Sequence, residues 1–341
     1  RDSYYGTQYD LNAYGMSKDF SSVLGSQALY NFNRLIFMPS TLMAGVEWST
    51  NHLTDEQPAY KRYIDQHADV ASAFLQNEWK NKSFGLLFGI RVDKHSMMNK
   101  PVFSPRANVR WAIVPSVTTR LSYSSGFRAP QVFDEDLHIM AGGGDVAIIV
   151  LSPDLRPEYS HSFSGSIGWE RFIGPFDFDV MVEGFYTVLN DVFVLRPNGT
   201  DEQGNMIMER CNGSGAHVGG VNIEAQLQRD EFVVQIGYTY QQSRYTEPET
   251  WSDNPDIVPQ RRMFRTPDSY GYITVLCPIT ERFKASVSGI YTGSMLVQHY
   301  AGYVEKDCEK ITSSFFDMGL KLTYDIPLCV GTVLEISGWI Q

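Results

Sequence analysis

The residues whose types could do chemistry gather between Gly126 and Glu158, in a stretch that joins two alternating segments. Arg128 lies near the carboxylates Asp134, Glu135 and Asp136. Ion pairs among them would brace this loop against a wall, with direct ligand contact as the alternative role. Pro130 forces Ala129 out of the helical region, so the chain leaves the preceding strand extended. Gly142-Gly143-Gly144 is followed by neither a lysine nor a helix start, so it is no phosphate cradle and reads as a loop tip. His138 stands alone between the acids and the glycines; its two readings are a ligand contact and a loop histidine bonded to solvent or to a neighbouring acid. No Gly-x-Ser-x-Gly or His-Glu-x-x-His set occurs, and no nucleophile with its base can be assembled, so the chain does not read as an enzyme. Met97 and Met98 beside His95 are too slight a set for copper, there is no Cys-x-x-Cys pair, and no metal site is expected.

The elements that position these residues are strands. Period-two alternation runs through most of the chain. From Phe176, one face holds Phe176, Phe178, Val180, Val182, Gly184, Tyr186 and Val188. The other holds Asp177, Asp179, Met181, Glu183, Phe185 and Thr187. A strand keeps those carboxylates on one side, where a helix would smear them around its axis. Segments around 221–228, 232–241, 283–292 and 316–324 repeat the pattern, so Glu224, Gln226 and Gln235 join Asp177, Asp179 and Glu183 on polar faces. A run of about a dozen residues exceeds an ordinary soluble strand and matches the roughly nine to eleven that cross a bilayer on a tilt.

Short turns at Met38-Pro39-Ser40, Asn81-Lys82, Pro115-Ser116, Gly174-Pro175, Arg229-Asp230, Pro278-Ile279 and 325–330 alternate with long connections at 53–67, 96–104, 127–160, 195–215, 246–266 and 298–312. One trimmed rim and one elaborated rim predict an all-β, antiparallel up-and-down transmembrane barrel, with about fifteen strands present in a single domain, 1–341. Trp79, Trp111 and Trp169 fall near the trimmed rim, where an aromatic girdle belongs. No apolar run is long enough for a membrane-spanning helix, which leaves a barrel untouched. A propeller would show a repeat of about forty residues, and none is found. The 341 residues carry a net charge of -11, which argues against nucleic acid. Cys211 and Cys308 fall on long connections, Cys277 and Cys329 at short turns, so the register admits the disulfides Cys211–Cys308 and Cys277–Cys329 as well as four free thiols. The sequence opens at Arg1 without a signal peptide and stops inside a strand, so both ends read as cut.

The segment from Leu121 to Pro130, followed by Phe133 and Glu135, resembles the strand and loop near the middle of TonB-dependent outer-membrane receptors. Ser152-Pro153-Asp154-Leu155-Arg156-Pro157-Glu158 resembles the Asn-Pro-x-Leu-x-Pro-Glu segment that follows it there, with Ser152 in place of the asparagine. The resemblance implies a barrel of roughly 22 strands around a plug. This chain would supply most of the barrel and no plug. It implies location in the outer membrane of a Gram-negative bacterium, contact with membrane lipid, energy coupling through TonB, and active uptake of a scarce nutrient. A surface lipoprotein is a further partner it admits. The nutrient stays open between haem or another iron complex, a corrinoid such as vitamin B12, and an oligosaccharide. A passive or structural barrel is the alternative class. In haem receptors of the family a histidine between the two boxes is an axial ligand, which puts His138 first. Phe127, Arg128, His161 and His299 complete the candidate ligand set. Haem would be cargo, and no resident cofactor is expected.

Overall fold

The computed structural model describes residues 2–6, 14–132, 147–301, 304–329 and 331–341. A single antiparallel wall dominates it. Its strands are β1 (Asp2–Gly6), β2 (Tyr14–Leu35), β3 (Met38–Gln57), β4 (Arg62–Lys80), β5 (Phe84–His95), β6 (Val102–Val114), β7 (Val117–Arg128), β9 (Glu158–Ile173), β10 (Phe176–Asn190), β13 (Ala216–Arg229), β14 (Phe232–Glu249), β16 (Ser269–Pro278), β17 (Phe283–Thr292), β20 (Phe315–Cys329) and β21 (Thr332–Ile340). Each is hydrogen-bonded to the next in that order, which makes the fifteen-strand meander expected from the alternation. Short β15 (Gln260–Arg262) pairs with the end of β14.

The remaining strands belong to the long connections. β8 (Ala147–Leu151), β11 (Phe193–Thr200) and β12 (Met206–Asn212) form a small sheet in which β8 and β12 run parallel. β18 (Leu296–His299) and β19 (Cys308–Ile311) form a hairpin. The 53–67 stretch, expected to be a long loop, is mostly strand. β3 and β4 stay in register from Ser40↔Trp79 to Gln57↔Arg62, and only the turn at Pro58–Tyr60 separates them.

Register sorts the wall into two faces. Asp179 pairs with Gln226, which pairs with Gln235, while Glu183 pairs with Asn222, which pairs with Thr239. Side chains alternate, so Asp177, Asp179, Glu183, Glu224, Gln226 and Gln235 share one face. Hydrogen bonds tie it across strands: Gln235 donates to Gln226 at 2.6 Å, Asn222 to Glu183 at 3.1 Å and Thr239 to Asn222 at 2.9 Å. The opposite face carries Phe163, Ile167, Val182, Tyr186, Val221 and Ile223, each 42–59% exposed, as side chains must be when no other part of the protein covers them.

On β13 this apolar face runs from Gly219 to Leu227, between His217 and Arg229. The interval from His217 to Arg229 spans about 40 Å along the strand, or about 30 Å once tilted by about 40°, the thickness of a hydrocarbon core. The three tryptophans lie toward the short-turn rim. Trp79 stacks on Phe37 with centroids 5.5 Å apart and donates to the Leu35 carbonyl at 2.9 Å, while Trp111 pairs with Phe84 and Trp169 with Val117.

One residue breaks this division. Asn77 lies in the apolar-face row between Leu42 and Phe88, and its amide nitrogen and oxygen are both buried without a partner. An unsatisfied buried amide costs about 1–3 kcal/mol. Asn77→Leu is therefore expected to stabilise the wall by about that amount, read as a rise in the denaturant midpoint at unchanged slope.

Candidate functional site

The two sequence boxes are neighbours in the sheet. Gly126 pairs with Ser160, Phe127 with Tyr159 and Arg128 with Glu158, where β7 and β9 emerge at the long-loop rim. Arg128 lays its guanidinium over the Phe193 ring, 5.5 Å from the centroid, and Glu158 accepts the Phe193 N–H at 2.8 Å. The boxes thus grip the start of β11 from two sides. Phe127 and Tyr159 pack on a small buried cluster of Met98, Val102 and Ala129. Arg156 and Asn212 exchange backbone and side-chain hydrogen bonds at 2.8 and 2.9 Å, and Arg156 pairs with Asp191 at 2.5 Å. Arg128 and Phe127 are thus bound up with holding the loops.

Beyond Pro130 the chain is clamped to the polar face of the wall. The Val132 N–H donates to Gln66 Oε1 at 2.7 Å, and Gln66 Nε2 donates to the Val132 carbonyl at 3.1 Å. His95 Nδ1 accepts the Met97 N–H at 3.1 Å, which leaves Nε2 to carry the proton and donate to Gln131 Oε1 at 3.2 Å. Arg62 donates to the Ile149 carbonyl of β8 at 2.9 Å, so the small sheet is anchored beside the wholly buried Asp55 and Gln57. A second tie joins Arg196 of β11 to Glu249 at 2.7 Å, and that bond holds the guanidinium pKa above its ordinary value.

Among the described residues singled out for ligand contact, Phe127 and Arg128 lie together at the boxes, and His161 and His299 lie on other elements or faces. His138, Asp134 and Glu135 lie outside the described residues. His161 has the strand parity of Phe163 and Trp169, so it projects from the apolar face, where its Nδ1 meets the Tyr123 hydroxyl at 3.0 Å. His299 pairs with Cys308 in the β18–β19 hairpin. Neither expected disulfide is present, and all four cysteines are free thiols. Cys277 and Cys329 sit on β16 and β20 with β17 between them, about 10 Å apart at the least, beyond the roughly 7 Å a disulfide tolerates. Cys211 and Cys308 belong to separate small sheets, and burial raises the Cys211 thiol pKa.

Two concavities stand out. The larger, about 650 Å³, opens on the apolar face around Leu121, Phe163, Gly165, Gly184 and Tyr186, away from the polar path. The other, about 440 Å³, lies among the long connections, between the β11–β12 tip and Trp251, Asn254, Tyr300 and Asp307. Trp251 is held there by its N–H on Glu309 at 3.0 Å and by the Tyr300 ring at 5.1 Å. Nothing local in the sequence brings the β11–β12 tip to these aromatics.

A family model described as TonB dependent receptor-like, beta-barrel, matches residues 1–340. The chain belongs to that family. The TonB-dependent receptor wall lies in the outer membrane, and its apolar face meets lipid. The siderophore receptor PirA from Acinetobacter baumannii superposes with a TM-score of 0.66 at 15% identity, over 92% of this chain and 50% of that one. The ferric enterobactin receptor PfeA from Pseudomonas aeruginosa gives 0.65 at 16%, over 93% and 48%. An iron-regulated outer membrane virulence protein of Vibrio cholerae is 38% identical over 92 residues, 26% of this chain and 14% of that protein. The chain therefore spans about half the length of these solved structures, and a smaller share of the Vibrio protein is matched.

The clamp at His95 carries a pH dependence. His95 ends β5 beyond the apolar band, whose last member on that strand is Val92, and is only 5% exposed. Burial lowers its pKa below 6.5, against the opposing pull of the Gln131 hydrogen bond, Asp69 and Asp93. A folded-state pKa below the unfolded one means the unfolded form binds the proton first. The clamp is at full strength above pH 6.5 and weakens as pH falls through and below it. Amide exchange at Val132, corrected for intrinsic rate, is expected to quicken between pH 7.5 and 5, by at most about tenfold per pH unit. His95→Gln should remove that dependence.

Proposed function

We propose that the chain forms wall and loops of an outer-membrane receptor that takes up an iron complex, driven by TonB acting on the rest of the protein. The observation that carries this reading is the family match along the whole chain. The iron-regulated relative and the siderophore receptors of the same fold support the choice of cargo. The geometry fits the role. A hydrogen-bonded polar face offers a wet path, and the long connections fold into sheets pinned at one rim, where a ligand would arrive. The loops would close on the ligand, and movement of a plug would open the path along Asp177, Asp179, Glu183, Glu224, Gln226 and Gln235. Haem stays within the proposed class through His138, whereas His161 projects from the apolar face and His299 lies in the β18–β19 hairpin, which gives neither support as a partner on the same iron.

The test is binding and uptake by the full-length receptor in iron-starved cells. A ferric tricatecholate, a ferric trihydroxamate, haem and vitamin B12 would be compared, with His138→Ala alongside. Saturable binding and energy-dependent uptake of one iron complex are expected. Uptake of B12 alone, or of nothing, would overturn the proposal, and loss of haem binding in His138→Ala would assign that histidine to the iron.

A further inference from the structure

The lumen face of β6, β7 and β9 differs from the rest of the wall. β6 presents Arg106, Asn108 and Arg110 to it, β7 presents Arg120, Ser122 and Ser124, and β9 presents Ser160, Ser162, Ser164 and Ser166. Neither β6 nor β7 contains a carboxylate, and the lumen face of β9 has none between Glu158 and Glu170. In a chain of net charge -11 this is a stripe of guanidiniums, amides and hydroxyls, reaching from the gripped boxes toward the short-turn rim.

Its lower end holds an unfavourable pair. Arg110 lies directly opposite Arg120. Like charges facing across two strands destabilise a sheet. Several arginines of the described wall and loops are matched by carboxylates, Arg91 by Glu47 and Asp93 at 2.8 and 2.7 Å, and Arg262 by Asp268 at 3.0 Å. Arg110 and Arg120 have no ion-pair or hydrogen-bond partner among the described residues. Glu78 on β4 and Glu183 on β10 flank the pair from beyond the intervening strands β5 and β9, about 10 Å away at two strand spacings. Above them Arg106 reaches across Gly89 to Gln76, a neutral partner that leaves its charge unbalanced. Asn108 donates to Ser122 at 2.6 Å, which holds the amide in the row between the arginines.

We infer that this stripe is an anion track, with Arg110 and Arg120 together as its strongest station. It would take the carboxylate, catecholate or phenolate oxygens of an anionic iron chelate passing down the lumen. Two guanidiniums present paired, planar donors to such oxygens, and an anion between them turns their repulsion into attraction. The inference rests on the iron-complex reading and narrows it to negatively charged chelates.

Two measurements on the full-length receptor test it. The first is uptake of labelled ferric tricatecholate by cells producing Arg110→Gln/Arg120→Gln, beside surface binding in the cold. Uptake at least tenfold slower with unchanged surface binding is expected, because the loops are untouched. Arg110→Lys/Arg120→Lys, which keeps the charge, should recover part of the rate. Unchanged uptake in the glutamine variant would overturn the track. The second is an experimental structure of the ligand-free receptor. A carboxylate of the protein's own plug seated between Arg110 and Arg120 would overturn it too, making the pair a brace. That structure decides the question even if no tricatecholate binds, in which case the iron-complex reading fails separately.

Discussion

Inside a bilayer no water is available to satisfy a backbone N–H or C=O, and every other feature of this wall follows from that. Each strand crossing it needs both edges paired, and within the uninterrupted antiparallel ladder from β1 to β21 every strand between those two has a neighbour on either side. Side chains can then only alternate, one set to lipid and one to the lumen. The consequence is a protein with little hydrophobic core of the usual kind. The clusters of buried apolar side chains, Met98–Val102–Ala129 and Val192–Val194–Ala216, both lie where loops meet the rim. Elsewhere cohesion comes from the ladder, from apolar contacts along the outer face, and from cross-strand polar bonds such as Gln226–Gln235 on the inner one.

That division explains how the loops are attached. A loop returning over the lumen meets a polar surface, so hydrogen bonds rather than greasy contacts must hold it. Gln66, His95 and Arg62 supply them to the connection between β7 and β9, and Arg128, Glu158 and Asn212 lock the boxes to β11 and β12. Single bonds of this sort contribute about 0.5–1.5 kcal/mol each, so on the proposed reading a ligand with a few better contacts in a closed arrangement would suffice to shift the loops.

Sequence reading succeeded where one face is plainly apolar. The alternation from Phe176 to Val188 is β10 itself, and the six lumen carboxylates and amides share the face assigned to them. It failed where both faces are polar. Between Leu53 and His67 neither parity is apolar, because Asp55, Gln57 and Gln66 are buried under a returning loop instead of exposed to a lumen, so the strand signal vanishes. His161 shows the opposite error. It was placed in the candidate ligand set, although its parity with Phe163, readable in the sequence, puts it on the apolar face. The parallel pairing of β8 with β12 joins residues about sixty apart and leaves no local trace. The two short-turn cysteines share a rim, as the sequence implied; what separates them is β17, which only the strand order reveals.

On the proposed reading, the placement of charge on the inner face would also answer a transport constraint. A site that binds too well does not let its cargo leave, so a path needs several weak stations in place of one strong one. On β7 and β9 serines occupy the lumen positions beside and above Arg120, and Glu183 and Glu224 lie on the far side of β9. Hydroxyls would hydrate an anion without trapping it, while carboxylates two and three strands from Arg120 would limit the depth of the proposed arginine station without neutralising it. The same arrangement would oppose anions drifting toward β10 and β13, which confines their route to one side of the wall. A lumen lined uniformly by either sign would give up one of these properties, retention or release.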